Sequence, residues 1–333
     1  MRVQKRVLGR NLTVSAVGLG CMGFSHAYGA PIPEHETIRL MRSAADMGYT
    51  FFDTAEIYGT PEDAHANERL VGEALLPIRS NVVISTKFGL RFDTQSGRFP
   101  YPLIPEARPE NIHRSVEGSL KRLKTHYIDI YFQHRIDPDV PPEEVAGVMA
   151  DLIKEGKILH WGISEANEEY LRRAHAVCPV TAVQNRYSMM ARHYEALLPV
   201  LEELKIGFVA FSPMANGFLS GQYTKSTHFD AKYDYRASMP QFTEKGVQQN
   251  KELLHLLSKL AAQKNATPAQ LSLAWMLFKK PWIVPIPGTR QLERMEENAQ
   301  AADIELTNAE ITALDEALSK IKMSEVYGAN NQN

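Results

Sequence analysis

The sequence predicts an α/β fold, a single (β/α)8 TIM barrel with an N-terminal β-hairpin and extra helices near the C-terminus. Three observations lead there. Eight short apolar segments alternate with segments of helical apolar spacing. The strand-to-helix connections include every long one (24–35, 89–108 and 222–246), while the helix-to-strand connections are short. No charge run, Gly/Ser linker or low-complexity block divides the 333 residues. One domain over residues 1–333 is therefore expected, with 328–333 as a flexible tail. An open doubly wound sheet shares the alternation, but long loops gathered on one face favour the barrel.

The hairpin comes first: KRVLG, a turn at Arg10 and Asn11, then LTVSAVGLG. Strands are expected at VSAVGLG, YTFFD, NVVISTKFG, IDIYFQHR, ILHWGIS, TAVQNRYS, GFVAFSP and WIVPIPG. Apolar residues spaced for one helical face predict helices over 36–47, 67–75, 109–123, 143–154 and 194–204. The stretch 247–278 reads as two successive helices, the second opened by Thr267 as N-cap and Pro268 as first residue. Helices over 290–301 and 308–321 follow the last strand.

Gly18, Gly20 and Gly23 in GLGCMG satisfy the G-x-G-x-x-G spacing of a dinucleotide fingerprint. That motif requires a helix to start at once, so that its N-terminus faces a pyrophosphate. The continuation FSHAYGAPIP, with Gly29, Pro31 and Pro33, cannot start one. The match is rejected, and the glycines are read as sites where backbone passes close to a ligand or a neighbouring strand.

The net charge is −2 and the 23% of charged residues mix both signs, which gives no reason to expect nucleic acid or an anionic membrane as partner. No apolar run approaches the ~18 residues of a membrane span. The N-terminus has charges without an apolar stretch after them, unlike a secretory signal. Cys21 and Cys178 lack metal-ligand spacing and fit a reduced compartment. A cytoplasmic, soluble protein is expected.

Chemistry concentrates at strand ends. Strand two ends in Asp53, with Tyr58 in the loop after it; strand three ends in Lys87 and strand four in His134. Neighbouring barrel strands bring their C-terminal ends together, so the four groups should share one mouth. A phenol near pKa 10 donates poorly at neutral pH, and a lysine ammonium beside it should draw it down. Asp53 would anchor that ammonium and His134 would orient a carbonyl oxygen. A structural ion pair, a satisfied polar histidine and a packed loop tyrosine are the bland alternatives, and joint placement on three successive strands counts against them. A metal-dependent hydrolase would call for convergent ligands such as His-x-His, and none occurs among the eleven histidines.

FFDTAEIYG, STKFG and YFQHR together resemble the Asp-Tyr-Lys-His tetrad of the aldo-keto reductases, and the likeness covers the whole chain. GISEAN, AVQNRYS, FSPMANGFLSG and IPGTRQLERMEEN agree with the branch that carries an IPGTR motif. The resemblance implies a barrel that binds NADPH, in preference to NADH, extended across its C-terminal mouth. It implies an enzyme reducing aldehydes or ketones by hydride transfer, with Tyr58 as general acid supported by Lys87, Asp53 and His134. It also leaves room for a cofactor-binding regulatory or redox-sensing subunit of the same fold.

Residue by residue, the likeness assigns Ser164 and Gln184 to the nicotinamide carboxamide and Phe211 to its ring. Gly20, Cys21, Met22 and Asp53 would border the cofactor. Ser212, Pro213, Met214, Gly217 and Leu219 would follow the pyrophosphate. Thr289 and Arg294, with Gly288 and Arg290 beside them, would hold the 2′-phosphate, and Glu297 and Asn298 would lie near adenine. Phe24, Tyr28, Tyr58, Phe88 and His134 would shape the substrate pocket. The 222–246 loop would fold over the cofactor. Two residues depart from the better-known branch: Glu165 replaces an asparagine, offering an acceptor to the carboxamide, and Gly288 replaces a lysine. Substrate identity, reaction direction and oligomeric state are not legible.

Overall fold

The computed structural model describes residues 3–60, 62–97 and 101–327. The tail expected over 328–333 lies outside them. Eight parallel strands follow one another in chain order: β1 (Leu19–Gly20), β2 (Phe51–Asp53), β3 (Val83–Phe88), β4 (Ile128–Gln133), β5 (Ile158–Ser164), β6 (Ala182–Arg186), β7 (Gly207–Phe211) and β8 (Ile283–Pro285). The first strand also reaches the last. The Gly18 amide donates to the Pro285 carbonyl at 2.9 Å and the Gly20 amide to the Pro287 carbonyl at 3.2 Å. A β-carbon on Gly20 would stand 2.7 Å from the Ile286 carbonyl oxygen, and one on Gly288 would stand 2.8 Å from the Gly20 oxygen. Gly18 and Gly20 of the rejected fingerprint thus lie at the seam that closes the barrel, and Gly20 permits its close approach; Gly23 lies outside the seam.

Alternation along each strand separates two cores. Phe51, Ile130, Phe132, Ala182, Val209, Val284 and Ile286 fill the barrel interior, and Leu8, Leu12 and Val14 of the N-terminal hairpin (Lys5–Leu8 against Leu12–Ser15) join them from below. The hairpin therefore stoppers the end of the barrel opposite the long loops. The other parity, including Phe52, Ile84, Phe88, Tyr131, Trp161, Val183 and Phe208, packs under the helices.

Those helices are α1 (Glu34–Asp46), α2 (Ala66–Leu75), α3 (Pro109–Arg122), α4 (Pro142–Lys154), α5 (Glu168–Val177), α6 (Leu198–Leu204), α7 (Glu244–Gln249), α8 (Lys251–Gln263), α9 (Pro268–Lys279), α10 (Leu292–Gln300) and α11 (Asn308–Lys320). The α9 N-cap is as expected: the Gln270 amide donates to Thr267 Oγ1 at 3.2 Å, and the Thr267 amide to Gln270 Oε1 at 3.0 Å. Other boundaries differ. The long strand expected over VSAVGLG is broken between Ser15 and Leu19, where the chain leaves the hairpin for the barrel. The helix expected over 194–204 is a 3-10 turn (His193–Leu197) followed by α6, because Pro199 has no N–H to continue one ladder. The first of the two helices read over 247–278 begins earlier and is interrupted at Asn250, giving α7 and α8. The helix expected from residue 290 starts at Leu292, leaving Arg290 free to turn back. Within 89–108 the chain also forms a small antiparallel ribbon, Leu90–Phe92 with Leu103–Pro105.

Candidate active site

Inward parity delivers the site. Asp53 is two residues beyond Phe51, Lys87 two beyond Ser85, and His134 two beyond Phe132, so all face the interior at its upper end. Lys87 is fully buried. Its Nζ donates to Asp53 Oδ1 at 2.7 Å and to the Thr54 carbonyl at 2.7 Å. The second carboxylate oxygen of Asp53 accepts from Ser85 Oγ at 2.7 Å and from Gln184 Nε2 at 2.8 Å. A buried ion pair with its remaining lone pairs satisfied is the arrangement that keeps both charges in a dry interior.

Tyr58 leans over this pair. Lys87 Nζ lies 4.7 Å from the centre of its ring, and the His134 ring meets it edge-on at 5.7 Å. Burial pushes the Tyr58 phenol above its ordinary value, with Lys87 pulling it back and Asp53 opposing Lys87. Burial wins, which corrects the expectation that the ammonium would bring the phenol toward neutral pH. The phenol holds its proton. Burial works against the charge on Lys87, yet Asp53 and Tyr58 outweigh it and raise the ammonium above its ordinary value. His134 is driven well below its usual value by burial first and then by Arg135, Lys87 and His26, so the imidazole is neutral. Its Nδ1 is a buried nitrogen without a hydrogen-bond partner among the described residues. The assembly offers a neutral phenol, a buried cation able to stabilise the phenolate, and a neutral imidazole.

Around the mouth, Ser164 Oγ accepts from the Arg135 guanidinium at 3.2 Å, with Gln184 beside it on Asp53. Phe211 ends β7 half-buried. Beyond it, Ser212, Ala215 and Asn216 have left-handed backbone (φ 49, 48 and 61), a concentration of strain at one loop, and Gly217 (φ 93) adopts a positive φ freely. Pro213 is buried there and Met214 half-buried. Ser212 Oγ and the Tyr327 hydroxyl lie 2.7 Å apart, and Asn216 Nδ2 donates to the Tyr28 hydroxyl at 2.6 Å. Met22, Tyr28, Gly288 and Thr289 also reach this face of the barrel, at the ends of β1 and β8.

Several expected contacts are not made by side chains. Phe88 follows Lys87 in the strand, so its ring points the opposite way and packs on Tyr131 at 4.8 Å. The 3-10 turn Met22–Phe24 tucks Phe24 into the same helix-facing core, and Cys21 and Leu219 are buried there too. These four offer no side chain to a ligand, and the Cys21 and Leu219 amides already donate to the Asp53 and Met214 carbonyls. Glu165 Oε1 accepts from the Arg186 amide at 3.1 Å and Oε2 from the Tyr194 hydroxyl at 3.0 Å, so its acceptors are already engaged. Arg290 donates to the carbonyls of Gly23, Ala30 and Gly29, fastening the loop after β1. Arg294 is ion-paired with Glu297 one helical turn on, and Asn298 is buried beneath.

Ser85, Glu56, His26 and Arg135 also border the site, and the sequence alone does not single them out. Ser85 was within reach of strand alternation, since it shares the face of Lys87 and pairs in register with Asp53. The others carry no local pattern, because only the meeting of separate loops gives them neighbours.

Comparisons with known proteins give the family and the fold. A family model described as Aldo/keto reductase family matches residues 16–319. The Glycine max protein named "Probable aldo-keto reductase 1" is 40% identical over 307 residues, 92% of this chain and 86% of that protein. Among solved structures, the glycerol dehydrogenase of Gluconobacter oxydans superposes with a TM-score of 0.85 at 25% identity, covering 97% of this chain and 98% of that one. An aldo-keto reductase from Bacillus halodurans, in its holo form, gives 0.76 at 26% identity, with coverages of 97% and 99%.

Proposed function

We propose that this oxidoreductase, which belongs to the aldo/keto reductase family, reduces aldehydes or ketones to alcohols with NADPH as its cofactor. The observation that carries the reading is the buried Lys87–Asp53 pair at 2.7 Å directly beneath the Tyr58 ring. A phenol that keeps its proton in the free protein can release it only as negative charge grows on a nearby oxygen. Tyr58 gives that proton to the carbonyl oxygen, Lys87 stabilises the phenolate left behind, and Asp53 keeps Lys87 charged. His134, neutral, donates a hydrogen bond to the same oxygen and fixes the direction from which the carbon is open.

When bound, the nicotinamide supplies the hydride that the carbonyl carbon accepts. Ser164, Gln184 and Phe211 would hold its ring end, and the left-handed turn at Ser212–Gly217 would take the pyrophosphate. Two observations support that fit. The turn gathers three non-glycine residues in left-handed backbone, with Gly217 after them, where a phosphate would need close backbone approach. The first turn of α10, which contains Arg294 beside the acidic Glu293, has no side-chain hydrogen bond from its N-cap Gln291, so its amides are open to a 2′-phosphate. Arg294 would exchange Glu297 for that phosphate, whereas Arg290 keeps the loop after β1 in place.

The test is NADPH consumption across a panel of aldehydes and ketones, with NADH beside it. Tyr58→Phe should lower kcat by roughly 10²-fold or more while cofactor binding persists. Full turnover in Tyr58→Phe would remove the assigned proton donor. Cofactor binding without turnover on any carbonyl would mark a regulatory subunit instead.

A further inference from the structure

Tyr58 has a second neighbour that the reaction above leaves unused. His26, in the loop after β1, stacks parallel to the Tyr58 ring, with centroids 6.1 Å apart and planes 13° from coincident. Its Nδ1 is 2.6 Å from the Gly59 carbonyl oxygen, which can only accept, so Nδ1 carries the hydrogen. Nε2 of the neutral ring is then an acceptor, and the Tyr235 hydroxyl lies 3.1 Å from it. Burial holds the imidazole below its ordinary value against the pull of the Gly59 carbonyl, in keeping with that neutral form. The Tyr235 ring stands edge-on to His26 at 5.2 Å.

Tyr235 belongs to the long 222–246 loop and is 45% exposed, yet its hydroxyl is turned inward. Backbone pairs hold the same two loops together: the Tyr235 amide donates to the Ala27 carbonyl at 2.9 Å, and the Gly29 amide to the Tyr233 carbonyl at 3.0 Å. Those pairs use backbone atoms alone and do not depend on the Tyr235 hydroxyl or the imidazole. The imidazole adds a continuous connection from the loop to Gly59, the residue next to Tyr58.

We propose that His26 is a positioning residue that couples docking of the 222–246 loop, through the Tyr235 hydroxyl, to the placement of Tyr58. The inference rests on Tyr58 being the proton donor. With the loop docked, Tyr235 fixes the tilt of His26, whose tautomer the Gly59 carbonyl sets, and His26 fixes the Gly59 carbonyl and the face of the Tyr58 ring. With the loop away, Nε2 loses its donor and the ring is free to turn.

Steady-state kinetics on Tyr235→Phe, His26→Phe, the double variant and His26→Asn, with Tyr58→Phe in parallel, test this. Tyr235→Phe removes one oxygen from an exposed side chain, so folding is not at stake. Each phenylalanine variant should lower kcat about tenfold, the worth of one lost hydrogen bond, with little change in carbonyl KM. The double variant should be no slower than the slower single one, since the two side chains act as a unit. His26→Asn keeps an N–H for Gly59 but has no acceptor where Nε2 stood, so it should be about as slow as Tyr235→Phe and no slower than His26→Phe. Unchanged kcat in Tyr235→Phe while Tyr58→Phe is inactive overturns the coupling and spares the proton donor. Losses that multiply in the double variant also overturn it. An active Tyr58→Phe overturns both.

Discussion

Asp53 shows what one residue does when its surroundings are dry. Its carboxylate receives Lys87, Ser85 and Gln184, so every lone pair that matters is taken. Removing the charge leaves Lys87 buried without a counter-ion, and breaking such a pair costs about 3–5 kcal/mol. Asp53→Asn should therefore lower the unfolding free energy by about that amount, read as a lower urea midpoint at unchanged m, and also slow turnover. An unchanged midpoint would show that the pair contributes little to the fold. The acid, phenol, lysine and histidine were legible because each sits at or just past a strand end. Phe88 and Phe24 were misread because a residue's neighbourhood in sequence does not say which side of the sheet it faces. For Phe88, parity with Lys87 decides it.

At the scale of the element, the loop from Asp53 to Tyr58 is held from behind by Glu56. Its Oε1 accepts from the Gly89 amide at 3.0 Å, and the Glu56 amide donates to the Lys87 carbonyl at 3.2 Å, so the loop is tied to the end of the lysine strand. Glu56 faces Glu68 from α2 and Arg122 and Ser115 from α3, with Tyr131 of β4 close by. Glu68 is itself engaged by Arg122 at 2.5 Å and Thr86 at 2.6 Å. Burial first, and Glu68 second, push the Glu56 carboxyl up to about 7. A carboxyl raised in the folded state binds its proton more tightly there than in the unfolded chain. Its effect is absent below pH ~4.5 and becomes a stability loss as pH climbs through about 7, on the order of 3 kcal/mol when complete. Glu56→Gln retains the acceptor for Gly89 and removes the titration. The variant should match the parent near pH 5 and exceed its stability near pH 8, which unfolding curves at the two pH values would show. Equal differences at both would mean that Glu56 does not titrate in this range.

For the whole molecule, closure is the decisive feature. A sheet of eight strands in chain order becomes a barrel only where β1 approaches β8 closely enough for the Gly18 and Gly20 amides to reach Pro285 and Pro287. Gly20→Ala places a β-carbon 2.7 Å from the backbone oxygen of Ile286, and two backbones cannot separate without loosening that seam. A loss of about 1–3 kcal/mol is expected, together with faster hydrogen exchange at the Gly18 and Gly20 amides. Exchange unchanged at both would mean that the seam adjusts without cost. The same closure constrains Gly288, where a β-carbon would stand 2.8 Å from the Gly20 carbonyl oxygen.

The sequence by itself determined the strand–helix alternation, the face on which the long loops gather and the four strand-end groups of the site. Those depend on periodicity and order, which are local properties. Only the tertiary structure decided that burial outweighs Lys87 at Tyr58, that Glu165 and Arg290 are engaged by the protein itself, and that His26 lies between Tyr58 and the long loop. Each of these depends on which distant segments meet and how much water they exclude, and no spacing along the chain encodes that directly.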